Sequence, residues 1–441
     1  MNSPQVKTAL PGPQAASQIQ KDHDFVSPSY TRAYPLVVAK GEGLWVEDVD
    51  ENRFLDFTSG IAVCATGHCH PQVVAAIRDQ AGKLLHMSGT DFYYGPQIEL
   101  AQKLAALAPG AAAKKVFFGN SGAEAVEASF KLARWHTRRE LNIAFFGAFH
   151  GRTMGALSLT ASKTIQKKHY YPFVPGITHI PYAYCYRCPY NLSYPQCGLE
   201  CVRWVEETLF RTTMPPEQVA AIFVEPIQGE GGYIVPPPEF FKELHAIAKR
   251  HGILIVADEV QSGMGRTGKM FAVEHFGVEP DIIALAKGIA SGMPLGAMVA
   301  PAEIMDWEAG SHASTFGGNP VSCRAALATI ELLQNSLMQN ATIQGERLMA
   351  GLKELQKRHE CMGDVRGKGL MVGVELVKDR ETKERAGEWR GEVVQEAFNK
   401  GLLLLGCGEN TIRFCPGLIA SPDEIDICLD IFDQALTARA N

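Results

Sequence analysis

The chain has 441 residues, 46% of them hydrophobic and 20% charged, with a formal net charge of -6. That composition supports a large core and more than one domain, and the lack of any block of like charge excludes an electrostatic footprint for nucleic acid or an anionic membrane. No apolar run reaches membrane-spanning length, no basic-then-apolar leader is visible, and the 11 cysteines, an odd number, point to reduced thiols in a cytoplasmic protein.

Residues 1–24 are rich in Gln, Ala, Pro and Ser and read as a mobile arm. Residues 25–71 form an N-terminal segment joining a smaller domain; within it, residues 44–57 alternate apolar and polar around Asp50-Glu51-Asn52, the pattern of a hairpin. His68-Cys69-His70 before Pro71 reads as a structural turn. From 72 to 325, short apolar strands alternate with amphipathic helical patterns: 115–118, 142–146, 221–224, 253–257, 282–286 and 296–299. Their continuous hydrophobicity suits a sheet covered on both faces, hence an α/β layer with mostly parallel strands. Residues 320–358 look helical, and strand signals return after Gly363. Residues 326–441 read as a smaller α+β domain.

The strand 282–286 ends in Lys287-Gly288. A buried ammonium is costly, so a lysine there tends to lose its proton and become a nucleophile able to form an imine with an aldehyde cofactor. The strand 253–257 ends in Asp258-Glu259-Val260-Gln261, an acid of the kind that pairs with a pyridinium nitrogen. After the strand 115–118, Ser121-Gly122-Ala123 opens a helix, where exposed amides and the helix dipole make an anion site. Phe149-His150 follows the next strand and offers a ring to stack on a cofactor, with Arg152 beside it to hold a carboxylate. Glu225 and Glu230 lie in a glycine-rich loop after another strand. Each motif alone has an ordinary structural explanation; their convergence at five strand ends, where open α/β sheets gather ligands, argues for an active site.

These residues carry a resemblance. The chain from about residue 30 to its end resembles the class III, fold-type I, pyridoxal-phosphate aminotransferases, which include 4-aminobutyrate, ornithine and acetylornithine aminotransferases. The most specific stretches are Asp258-Glu259-Val260-Gln261-Ser262-Gly263-Met264-Gly265-Arg266-Thr267-Gly268, Lys287 at the expected spacing, and Ser314-Thr315-Phe316-Gly317-Gly318-Asn319-Pro320. The resemblance implies a seven-stranded, mostly parallel sheet flanked by helices, with the smaller domain drawn from both chain ends. It implies pyridoxal 5'-phosphate as cofactor, attached to Lys287, which also moves the substrate proton. Asp258 would pair with the ring nitrogen and Gln261 with the phenolic oxygen. Val260 and Phe149 would pack the two ring faces, with His150 also at the cofactor, and Ser121, Gly122 and Ala123 would hold the phosphate. Thr315 would reach the phosphate of a neighbouring subunit, implying a homodimer or a dimer of dimers with shared active sites.

For the substrate, the resemblance implies that Arg152 and Arg413 each receive a carboxylate, with Glu230 pairing Arg413 when only one is present and Glu225 also in the pocket. Ile61 stands where ornithine aminotransferases place a tyrosine, which suits an ω-amino acid without a second polar centre. The partners expected are thus a small amino donor such as 4-aminobutyrate and a 2-oxo acid acceptor, 2-oxoglutarate. An amino-acid racemase on the same site, or an ornithine or acetylornithine aminotransferase, remains as an alternative. Four cysteines, Cys185, Cys188, Cys197 and Cys201, depart from the plain family pattern; as thiolates they are candidates for a structural metal, while as packed thiols in a tyrosine- and proline-rich lid they bind none, which is the reading adopted.

Overall fold

The computed structural model describes residues 3–440. Three strands come first: β1 (Val38–Glu42), β2 (Trp45–Asp48) and β3 (Arg53–Asp56). β2 and β3 pair antiparallel as the expected hairpin. Its turn is fixed by Asp48, whose Oδ1 accepts the amides of Asp50 and Asn52 at 2.9 and 2.8 Å.

The N-terminal residues expected as a mobile arm are folded instead. Asn52 Oδ1 accepts the amides of Lys7 and Thr8. The Asp50 carboxylate caps a helix over Pro13–Phe25 by accepting the amides of Gln14 and Ala15 at 2.9 and 2.8 Å. Ala15 is fully buried by the contact.

The large sheet comprises β4 (Lys114–Gly119), β5 (Leu141–Phe145), β6 (Ile177–Ile180), β7 (Val219–Val224), β8 (Leu254–Asp258), β9 (Ile282–Leu285) and β10 (Gly296–Pro301), in the order β4-β10-β9-β8-β7-β5-β6. Only β10 runs against its neighbours, β4 and β9; the pairs β5–β6, β5–β7, β7–β8 and β8–β9 are parallel. All six residues of β7 are buried, as helices on both faces require. Each such Val, Ile or Phe side chain contributes about 1.5–3 kcal/mol by leaving water. The common strand direction gathers the carboxyl ends of β4, β5, β7, β8 and β9 along one edge.

The smaller part holds β11 (Met362–Lys368), β12 (Met371–Leu376), β13 (Leu402–Leu403), β14 (Leu405–Cys407) and β15 (Thr411–Phe414). β11, β12, β15 and β14 form one antiparallel sheet, while β13 joins the N-terminal sheet by pairing parallel with β3. Both chain ends therefore build the smaller part. Arg266, only 2% exposed, ties it to the large sheet by donating to the carbonyls of Leu370 and Pro416. No helix among the described residues is long and apolar enough to cross a membrane.

Candidate active site

A cavity of about 410 Å³ opens at the carboxyl edge of the large sheet. Its wall includes Ser121, Gly122 and Ala123 after β4, Phe149, His150 and Arg152 after β5, and Glu225 after β7. Asp258, Val260 and Gln261 at the end of β8 and Lys287 after β9 complete this group. The residues singled out at five strand ends thus share one space.

The fold explains each placement. Ser121 Oγ accepts the Glu124 amide at 3.2 Å, capping the helix Gly122–Thr137 and leaving its first amides at the cavity. A Cβ on Gly122 would lie 2.8 Å from Val260 Cγ1, so only glycine lets this turn come so close. Lys287 follows β9 in the left-handed region at φ +48°. Burial, followed by the positive Arg413, lowers the pKa of its amine. This is the direction a nucleophile needs.

His150 is buried against Asp258. Its Nδ1 lies 2.7 Å from Asp258 Oδ2, and its buried Nε2 has no hydrogen-bond partner. Burial opposes a charge on His150, but Asp258 outweighs it and the pKa rises. Asp258 Oδ1 accepts the Val260 amide at 3.0 Å, which aims the carboxylate. Glu225 is a loop organiser: it accepts the amides of Phe149 at 3.0 Å and Gly229 at 2.8 Å, and burial pushes its carboxyl up to about 7. The Arg152 guanidinium lies 5.6 Å from the centre of the Phe149 ring.

Glu230 and Arg413 meet beside the cavity, Glu230 Oε2 lying 3.3 Å from Arg413 Nη1. Arg413 is 5% exposed, and its Nε has no hydrogen-bond partner. Two neighbours escaped sequence reasoning. Lys163 Nζ sits 2.5 Å from the other Glu230 oxygen, and the Tyr233 hydroxyl donates to Gln261 Oε1 at 2.9 Å. Neither has a local motif; both meet their partners across a folded loop.

Four expected site residues are not in the cavity wall: the pair Glu230 and Arg413, and also Thr315 and Ile61. Thr315 is exposed on the loop before Pro320. Ile61 is 41% exposed, within a turn where Ser59, Gly60, Ile61 and Ala62 all have positive φ; Val63, two residues on, lines the cavity instead. Cys185, Cys188, Cys197 and Cys201 surround a separate space of about 20 Å³. All four are free thiols; burial pushes Cys185 up to about 11 and Cys201 to about 12. No group of three or more His, Cys, Asp or Glu among the described residues is placed to hold a metal ion. His68 forms a structural turn, pairing with Asp56 at 2.8 Å.

Comparison with known proteins agrees with this geometry. A sequence model of the class-III aminotransferases matches residues 26–436. An alanine/serine racemase of Pyrococcus horikoshii is 39% identical over 99% of this chain and 93% of its own length. A leucine/methionine racemase of Thermococcus litoralis is 42% identical over 91% and 90%, and the 4-aminobutyrate aminotransferase of Escherichia coli is 39% identical over 91% and 93%. Among solved structures, an aminotransferase of Bacillus anthracis superposes with a TM-score of 0.90 at 33% identity, covering 98% of this chain and all of that one.

The residues present fit pyridoxal phosphate. The cavity has a helix start with free amides for an anion and a lysine of lowered pKa for an aldehyde. It also has a carboxylate braced by a buried histidine for a ring nitrogen.

Proposed function

The chain belongs to the class-III aminotransferases, enzymes that depend on pyridoxal phosphate, and from that premise we propose that it transfers the amino group of an ω-amino acid, 4-aminobutyrate foremost, to 2-oxoglutarate. The observation that carries this reading is the contact between Glu230 and Arg413. With a monocarboxylate donor bound at Arg152, Glu230 keeps the buried guanidinium paired. With a dicarboxylate bound, Glu230 moves aside and each arginine holds one carboxylate. One pocket then serves both halves of a two-step exchange.

When bound, the cofactor supplies a carbonyl that captures the amino group and a ring that draws electrons from the bond to be broken. The chain supplies the remainder. Ser121, Gly122 and Ala123 hold the phosphate with backbone amides and a helix dipole. Asp258, backed by His150, would pair with the ring nitrogen and hold a proton there. Phe149 and Val260 would pack against the ring, and Gln261, held by Tyr233, would donate to its oxygen. Lys287 Nζ takes the proton from the substrate carbon and returns it nearby. Ile61 presents apolar surface beside Val63, which suits a donor lacking a second amine. The exposed Thr315, with Phe92, Tyr93 and Phe316 exposed at 52%, 95% and 62%, supports a homodimer that buries these residues.

A panel of amino donors incubated with 2-oxoglutarate and scored for glutamate tests the proposal. Glutamate from 4-aminobutyrate and 5-aminovalerate is expected; none from any ω-amino acid would refute it. The racemase relatives favour a second reading, in which the substrate α-carbon is reprotonated from the opposite face. Loss of optical rotation from one amino-acid enantiomer without 2-oxoglutarate would identify that activity.

A further inference from the structure

We propose that Lys163 is the holding post for Glu230: the residue that keeps its carboxylate paired after a dicarboxylate displaces it from Arg413. The inference deepens the reading above and rests on its assignment of Arg413 to carboxylate recognition.

Glu230 is shared unequally in the resting structure. Its Oε1 lies 2.5 Å from Lys163 Nζ, while its Oε2 lies 3.3 Å from Arg413 Nη1. The arginine is held by one nitrogen, and its buried Nε is unpartnered. A carboxylate arriving at Arg413 therefore finds an unused donor and a weakly engaged competitor. The lysine side chain is 37% exposed and that of Glu230 18% exposed. They lie toward solvent from Arg413, whose side chain is 6% exposed.

The direction of movement follows from these positions. Swinging free, Glu230 would become a partly buried carboxylate without a counter-ion, and that cost would be charged against dicarboxylate binding. Swinging onto Lys163, it keeps one of its two ion pairs. Lys163 also lines a second cavity, of about 580 Å³, together with Gly231 and Gly408. Free volume is thus available on the side to which Glu230 would retreat. Lys163 acts through Glu230 and is a positioning residue.

The same argument gives the sign of a mutation. Without Lys163 the displaced state loses the partner assigned to it, whereas the resting state keeps Arg413. Glu230 then stays on the arginine and dicarboxylates are disfavoured. Arginine at 163 would preserve the post, because its guanidinium keeps the charge and reaches as far.

The test measures binding of glutarate and of valerate to the holoenzyme by calorimetry, for wild type, Lys163→Met and Lys163→Arg. These acids share a five-carbon skeleton and differ by one carboxylate. In Lys163→Met the ratio of glutarate to valerate affinity is expected to fall about five- to tenfold, and Lys163→Arg to restore most of it. Steady-state kinetics should then show the KM for 2-oxoglutarate rising while kcat changes less. A ratio that stays level, or affinities for both acids falling together, would overturn the role of Lys163 alone. Wild-type holoenzyme without any preference for glutarate would overturn the carboxylate assignment beneath it as well.

Discussion

His150 and Asp258 meet at 2.7 Å beneath the cavity, 108 residues apart in the chain, and the histidine's second ring nitrogen is sealed off without a partner. Asp258 therefore depends on one buried side chain and one amide for its aim. His150→Phe removes the first. Cofactor affinity is expected to fall at least about thirtyfold, roughly 2 kcal/mol, because a buried partner is lost. Titration of apoenzyme with pyridoxal phosphate, followed by absorbance, checks it; an unchanged dissociation constant would contradict the bracing role.

Lys287→Ala removes both the attachment point and the proton carrier. Glutamate formation should drop by about a thousandfold or more. Borohydride reduction of the wild-type holoenzyme and peptide mapping should place the cofactor label on Lys287; a label on any other lysine would break the assignment.

Glu230→Gln leaves Arg413 facing a neutral amide. The KM for 4-aminobutyrate should rise about tenfold, since Arg413 loses its counter-ion, while the KM for 2-oxoglutarate should fall. Parallel changes in both constants would argue against a switch.

Ile61 occupies φ +66°, a region costly for a β-branched side chain. Ile61→Gly should stabilise the protein by about 1 kcal/mol while weakening discrimination among donors. Denaturant midpoints and the donor panel measure the two effects separately.

Burial pushes the wholly buried Glu259 carboxyl up to about 7, although Val273 N and Ser262 Oγ donate to it at 2.7 and 2.6 Å. An unfolded glutamate releases its proton near 4.3. Between that pH and about 7 the unfolded chain binds fewer protons than the folded one, so stability declines as pH rises and levels off above. The slope is at most about 1.4 kcal/mol per pH unit for this group. Glu259→Gln should flatten it in urea titrations from pH 4.5 to 7.5; an unaltered slope would assign it to other residues.

What was legible in the sequence was whatever one segment states by itself. The continuous apolar runs gave six of the seven strands of the large sheet because a two-sided cover demands them. The seventh, β6, contains Thr178 and His179 and lies at the sheet edge, so it lacks that signature. The N-terminal helix was missed because its anchors, Asp50 and Asn52, are far along the chain and its own residues are mostly polar. Lys163 and His150 gained their settings from distant partners, Glu230 and Asp258. Part of the most distinctive run also proved to be architectural: Arg266 clamps the smaller part onto the large sheet.

The pairing of β3 with β13 sets a schedule for biosynthesis. Leu55 hydrogen-bonds through its backbone to Gly401 and aligns with Leu402, which the ribosome delivers about 350 residues later. At ordinary elongation rates the hairpin waits roughly 20–70 s with one edge unsatisfied. Over that interval the nascent chain presents an open strand to its surroundings, and chaperone demand should centre on the first sixty residues.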